Sequence, residues 1–315
     1  MKKIIYGAPR SNTPSGGVKV IYKQSELISQ LGLASAVWHP GEGYYKCTWF
    51  ENNAEIITGE LNPKDHFVII PEIWATGYYE EFKRKGIKYG IYVQNAYYTH
   101  VNLNIRNKEA IKEAYENSEL ILSISKDTSN YIQEIFGVES NKIILQRYSV
   151  DKKIFRPGIK KRKITYMPRK MEQHSNRVIS ILQSIIPKYW ELKAIDKMNE
   201  IEVAKQLSES IIFLAFSEFE GLPVPPVEAA MCGNIVIGYH GQGGLEYWEK
   251  PIFNEISQGD IQFFIKKIME IINNIDINGV NINHINSGIE KITEYFSFKN
   301  EIDMLQNLIK KVEGI

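Results

Sequence analysis

Short apolar runs alternate with helical stretches twice over in this sequence, and that alternation leaves few folds open. Residues 3–7 read as a strand, 8–17 as a loop rich in glycine, proline and serine, and 18–31 as a helix. Strand, glycine loop and helix in that order open an α/β unit of the nucleotide-binding type. Further strands are expected at 35–39, 66–70, 89–93, 120–123 and 142–145, and helices at 76–85, 108–117 and 126–136. The stretch 41–65 is aromatic and irregular and shows no period. At Phe155-Arg156-Pro157-Gly158 a strong turn signal interrupts the series, and Lys160-Lys161-Arg162-Lys163 behind it reads as a solvated linker. The alternation then restarts, with strands at 164–167, 192–195, 211–215 and 235–238 and helices at 176–186, 200–208 and 260–272. A last amphipathic helix over 299–312 carries Ile302, Leu305, Leu308 and Ile309 on one face. The expected fold class is α/β, with two parallel-sheet domains over 1–157 and 158–298 and a closing helix over 299–315.

The bulk properties narrow the partners. With 315 residues, the chain has room for two ordinary domains, and a formal charge of +1 offers no field for nucleic acid. Its two cysteines, Cys47 and Cys232, form no CxxC pair or Cys/His cluster, so no zinc site is expected and a reducing compartment suits them. Residues 1–9 lack the long apolar core of a signal peptide, and no apolar run reaches the roughly 18 residues of a spanning helix. The expected location is cytoplasmic, with peripheral contact at the inner face of a membrane left open.

The chemistry concentrates in Ser217-Glu218-Phe219-Glu220-Gly221-Leu222-Pro223-Val224-Pro225-Pro226-Val227-Glu228-Ala229-Ala230-Met231-Cys232-Gly233. A buried strand ends in a loop bearing a carboxylate and a glycine, and the chain turns through prolines into a short helix. Pro225 and Pro226 fall where a helix start tolerates them, and Gly233 stops the helix. Glu220 thus lies at the carboxyl end of a strand and Glu228 near the start of the next helix. Ligands of open α/β sheets bind at that edge. Backbone N–H groups within Gly221 to Val224 and at the helix start can meet phosphate oxygens, while each carboxylate can accept sugar hydroxyls.

The E-x7-E spacing of Glu220 and Glu228, with its Glu-Gly-Leu-Pro and Glu-Ala-Ala-Met-Cys-Gly flanks, resembles the retaining GT-B glycosyltransferases of family 4. Gly241-Gln242-Gly243-Gly244-Leu245-Glu246-Tyr247 resembles the glycine loop that follows this block in bacterial members, and Tyr166-Met167-Pro168-Arg169-Lys170 stands where the family has a strand ending in Gly-Arg. The resemblance covers about residues 115–310 well and the N-terminal third weakly. It implies two Rossmann-like domains facing each other across a cleft. The N-terminal one takes a glycan or lipid-linked acceptor, and the C-terminal one takes a nucleoside-diphosphate sugar. It implies sugar contact for Glu220, ribose contact for Glu228, and diphosphate neutralisation by Arg169 with Lys170. Gly221, Leu222, Pro223, Gly243, Gly244 and, across the cleft, Gly16 and Gly17 would line the donor. Transfer would retain anomeric configuration without a metal or other cofactor, in surface polysaccharide or glycoconjugate synthesis.

Two departures stand out. The family's lysine falls at His174 here, so Lys170 or Arg177 would substitute; and the family's N-terminal histidine is replaced by Gln94, followed by Asn95, both able to hydrogen-bond a sugar. These departures motivate a second expectation, a non-catalytic GT-B-like subunit that binds and stabilises an active transferase. Each residue also has a plain reading: Arg169 and Lys170 as a surface pair, Gly16 and Gly17 as a tight turn, Gln94 and Asn95 as strand-end caps. Trp38, Trp49, Trp74, Tyr78 and Tyr79 would then be packing rather than a sugar platform.

Overall fold

The structure is a computed structural model that describes residues 2–100 and 108–315. Its chain divides into two compact units, Met1–Tyr148 with Lys299–Ile315, and Ser149–Phe298. The first unit is built on strands β1 (Lys3–Gly7), β2 (Ser35–Trp38), β3 (Ile56–Ile57), β4 (His66–Pro71), β5 (Lys88–Val93), β6 (Leu120–Ser123) and β7 (Ile143–Leu145). They form one sheet in the order β3-β2-β1-β4-β5-β6-β7, all pairs parallel. Parallel strands joined by crossover helices are covered on both faces, which is why Phe67, Val68, Ile69 and Ile70 are buried in succession. Helices α1 (Gly16–Gln30), α2 (Ala75–Lys85), α3 (Lys108–Asn117) and α4 (Lys126–Phe136) make those crossovers. The start of α4 is set by Ser125, whose hydroxyl accepts the Thr128 N–H at 3.1 Å.

In the second unit, β8 (Lys163–Tyr166), β9 (Glu191–Ala194), β10 (Ile212–Glu220), β11 (Ile235–Gln242) and β12 (Phe253–Glu255) pair in parallel in the order β12-β11-β10-β8-β9. Helices α5 (Glu172–Ile185), α6 (Glu200–Glu209), α7 (Val224–Met231), α8 (Ile261–Asn278) and α9 (Ile282–Tyr295) complete it. Ile164, Leu214 and Ile237 of the sheet share a core with Val178, Leu182, Phe264 and Ile268 of the helices. Each such side chain, fully buried, contributes about 1.5–3 kcal/mol over exposure. The last helix, α10 (Phe298–Glu313), belongs almost wholly to the first unit. It buries Leu305, Leu308 and Val312 and sinks Glu301, which meets Lys23 Nζ at 3.0 Å.

Several expectations change. The boundary falls after Tyr148 rather than at 157. The Val150 N–H donates to Phe296 O, Phe155 is buried, and the Gly158 N–H donates to Ser208 O, so 149–158 is already part of the second unit. The charge run 160–163 is only half solvated: Lys161 and Arg162 are exposed, but their neighbours are tied into the unit. Lys160 Nζ donates to Ser210 O and Cys232 O, both at 2.6 Å, and buried Lys163 pairs with Glu209 at 2.9 Å. Strands β10 and β11 run on past 215 and 238, because their pairing continues through Ser217 and His240 to Glu220 and Gln242 across a register shift. Helix α5 starts four residues earlier than the 176 expected, which brings His174 into its first turn. Helix α9 has no counterpart in the sequence reading: its Asn, Ser and Gly content hides the buried stripe of Ile285, Gly288 and Ile292.

Both sheets reverse their order of growth at one point. After β1 the chain adds β2 and β3 on one side, then β4 on the other; after β8 it adds β9, then β10 on the opposite side. The carboxyl ends of β1 and β4, and of β8 and β10, therefore flank the places where open sheets of this kind bind ligands.

Candidate functional site

Glu220 is the last residue of β10 and Lys170 lies in the turn between β8 and α5, so the two come from the strands on either side of the second unit's reversal point. The Lys170 ammonium donates to Glu220 Oε1 in a short charge-assisted hydrogen bond. Their side chains keep 36% and 24% of their exposure, so the pair faces outward from the sheet edge and can open to a ligand. Met167, Lys170, Ala215, Ser217, Pro225 and Pro226 line a small cavity behind it.

The backbone around the pair is held in unusual shapes. Met171, directly after Lys170, has φ 43°, left-handed for a side chain that resists it. A residue held that way costs about 1–3 kcal/mol and tends to occur where function needs it. Ser175 Oγ donates to Pro168 O at 3.2 Å and the His174 N–H donates to Met171 O, which pins the turn. On the other strand, Gly221, Leu222 and Pro223 form a buried turn into α7, whose N-cap is Pro223. Gly243 lies against this turn so tightly that a Cβ there would stand 1.7 Å from Gly221 O. Gly244 packs on Pro223, and Tyr247 Oη donates to Pro223 O at 2.8 Å. Gly243 and Gly244 thus support the turn from beneath. Glu228 is half-buried on α7, and Arg169 is exposed on the β8–α5 turn. His174 is half-buried, its ring edge-on to Tyr239, and its Nδ1 has no partner among the described residues. Arg177 is exposed and donates to Gln173 O of its own helix.

The first unit has a counterpart edge. Gly16 and Gly17 begin α1 behind the loop that leaves β1. Gln94 and Asn95 follow β5, and Gln94 Nε2 donates to Gly17 O at 3.1 Å. A Cβ at Gly17 would meet Gln94 Oε1 at 2.4 Å, so any other residue there would push the Gln94 side chain aside. Asn95 Oδ1 accepts the Tyr97 N–H at 3.1 Å and starts a short 3-10 turn. Between them sits a residue that the sequence reading missed. Glu72, one residue past β4, is 6% exposed, and its carboxylate accepts the N–H groups of Asn95 at 3.0 Å and Gln94 at 3.3 Å. Burial pushes this carboxyl up to about 7 despite those donors. A carboxylate just beyond a proline-terminated apolar strand was the available signal. Another buried group lies beside the β1 loop: His39 Nδ1 donates to Ala8 O at 2.8 Å and Nε2 accepts Tyr22 Oη at 2.5 Å, and burial pulls its pKa down to about 4. The aromatic side chains are mostly structural. Trp38 meets Trp74 and Tyr78 edge-on, Trp74 and Tyr78 tilt against each other, and Trp49 Nε1 donates to Ser11 O at 3.0 Å.

Solved structures share this arrangement of two parallel sheets. Sucrose-phosphate synthase from Thermosynechococcus elongatus superposes with a TM-score of 0.73 at 11% identity, covering 100% of both chains. HepE from Anabaena in complex with UDP superposes with a TM-score of 0.74 at 9% identity, again over 100% of both chains. The fold is that of the GT-B glycosyltransferases. A glycosyltransferase from Rickettsia africae agrees, with a TM-score of 0.69 at 13% identity over 99% of this chain and 98% of that one. No family model matches the sequence. A curated relative, the alpha-1,6-glucosyltransferase of Actinobacillus pleuropneumoniae serotype 7 (strain AP76), is 26% identical over 204 residues, 62% of this chain. The match spans 59% of that relative's length. Among the described residues, no helix is long and apolar enough to cross a membrane.

Proposed function

We propose that this chain is a glycosyltransferase that moves a sugar from a nucleoside-diphosphate sugar to a glycan or lipid-linked acceptor. The observation that carries the reading is the Lys170–Glu220 pair at the reversal point of the second sheet. Loss of the nucleoside diphosphate builds negative charge on the β-phosphate, and a preorganised cation there stabilises the transition state. Lys170 supplies that cation, and Arg169 on the same turn adds a second. When the diphosphate takes Lys170, Glu220 is released to accept hydroxyls of the donor sugar, and Glu228 on α7 accepts those of the ribose. This work needs no metal, and the diphosphate oxygen on the same face can take the acceptor proton, which gives retention. UDP-glucose is the first donor to try, because the curated relative is named a glucosyltransferase and HepE structures carry UDP and UDP-glucose. A role in surface polysaccharide or glycoconjugate assembly follows the same line.

The test is thermal unfolding against a panel of nucleotide sugars in EDTA, then UDP release with a glucoside acceptor. A ligand at a hundred times its dissociation constant adds about 2.7 kcal/mol to the folded state. UDP-glucose should raise the midpoint, and Glu220→Ala should abolish transfer; wild-type turnover in that variant would remove Glu220 from the site. The second reading, a subunit that does not turn over, draws on Gln94, whose amide nitrogen is committed to Gly17. Nucleotide binding without release under any acceptor would favour it.

A further inference from the structure

The edge of the first unit is organised around one buried carboxylate that the proposed chemistry does not use. Glu72 stands just past β4, next to the point where the first sheet reverses its order. Its short 3-10 turn, Glu72–Trp74, is locked from below: Trp74 lies so close to Gly7 at the end of β1 that a Cβ there would meet its ring at 2.9 Å. The carboxylate accepts the backbone N–H groups of two successive residues, Gln94 and Asn95. Two backbone donors converging on one buried carboxyl group fix the turn that carries them at two successive positions. From that turn the Gln94 side chain reaches to Gly17 O, at the start of α1. A chain of contacts thus runs from β4 through Glu72 to the Gln94 turn and on to the Gly16–Gly17 turn, joining the three segments that leave β1, β4 and β5.

We propose that Glu72 is a positioning residue for the acceptor side of the reaction, holding the Gln94–Asn95 turn in the geometry that receives the acceptor sugar, with Gln94 braced against the start of α1. This rests on the glycosyltransferase reading given above. Glu72 itself touches no substrate. Its two oxygens are taken up by backbone donors, and it acts by fixing polar groups whose displacement by about 1 Å can cost as much as a hundredfold in rate. The groups proposed to take the diphosphate and ribose, Arg169, Lys170 and Glu228, all lie in the other unit, so loss of Glu72 should separate acceptor kinetics from UDP affinity.

The experiment uses the full chain, UDP-glucose as donor and methyl α-glucoside as acceptor probe. Glu72→Gln keeps shape and removes charge; Gln94→Ala breaks the next link without disturbing a buried group. Expected in both variants is a UDP dissociation constant, measured by calorimetry, within twofold of wild type. The acceptor KM should rise, or kcat fall, roughly tenfold or more. The double variant should be no worse than the poorer single variant, because both changes cut one chain of contacts. Acceptor kinetics within twofold of wild type in both variants would overturn the positioning role while leaving the transferase reading intact. An equal loss of UDP affinity and acceptor kinetics would also overturn it. A wild-type chain that binds no nucleotide sugar of the panel would bring down the transferase reading and the proposal together. If Glu72→Gln does not fold, Glu72→Asp, which keeps the carboxyl group and shortens its reach to the Gln94 and Asn95 N–H groups, takes its place in the same measurements.

Discussion

Replacing Glu72 by glutamine should tilt the pH dependence of folding. Burial holds the Glu72 carboxyl at about 7 in the folded chain against 4.5 for an exposed one. Between those values the folded state keeps a proton that the unfolded state has lost. A folded pKa raised in this way contributes stability that is complete below about 4.5 and lost as pH rises through about 7. At about 1.4 kcal/mol per pH unit, the window amounts to ~3 kcal/mol. His39 acts with the opposite sign. Its pKa is held at about 4 against 6.5, chiefly by burial, so its contribution grows as pH rises across that span. The two oppose each other between about pH 4.5 and 6.5 and largely cancel in the wild type. Glu72→Gln removes the falling leg and leaves the rise from His39. Urea unfolding of wild type and variant at about pH 5, 6, 7 and 8 reads this directly. The difference in stability should change by about 1.4 kcal/mol per pH unit below about pH 6.5 and level off above about 7. Taking the difference removes the titration of every group the substitution leaves alone. Parallel profiles would refute the argument, because they would mean that Glu72 titrates alike in both states. His39→Asn should show the converse slope.

Lys170→Ala should lower kcat for UDP-glucose about a hundredfold or more with a smaller effect on KM, measured as UDP release, if the cation acts chiefly on the departing diphosphate. Gly243→Ala should destabilise the second unit by about 1–3 kcal/mol or more, since the new Cβ would fall 1.7 Å from Gly221 O; a thermal midpoint unchanged from wild type would show that the turn yields. Lys160→Met should cost about 1–3 kcal/mol by leaving Ser210 O and Cys232 O unpaired. It should also erase the stability that the wild type gains from about pH 8 to 10.5, since burial pulls this lysine down to about 8; urea unfolding on either side of that window checks both effects.

The sequence by itself determined the fold class and the position of the Glu220–Glu228 block, because both are local signals. Buried parallel strands must be apolar throughout, as in 67–70 and 211–215, and the period of their crossover helices differs from theirs. Prolines at 225 and 226 and a glycine at 233 mark a helix without reference to anything distant. Helix α9 escaped because its buried stripe runs through Asn, Ser and Gly, whose propensities point elsewhere until Ile285 and Ile292 find a core to enter. Tertiary structure alone decided that Lys170, rather than His174 or Arg177, pairs with Glu220, since a turn of left-handed backbone at Met171 selects which side chain faces β10. It likewise decided that Lys160 is an internal anchor rather than part of a solvated run, because only the packed chain brings Ser210 O and Cys232 O to its ammonium. Glu72 has the same status. In the sequence it is one acid among many, and it becomes distinct when β4 and β5 lie side by side and two amide groups, 22 and 23 residues further on, turn toward it. Charge and periodicity are written along the chain, whereas which polar atoms meet depends on strand order, and strand order follows from packing whole elements against one another.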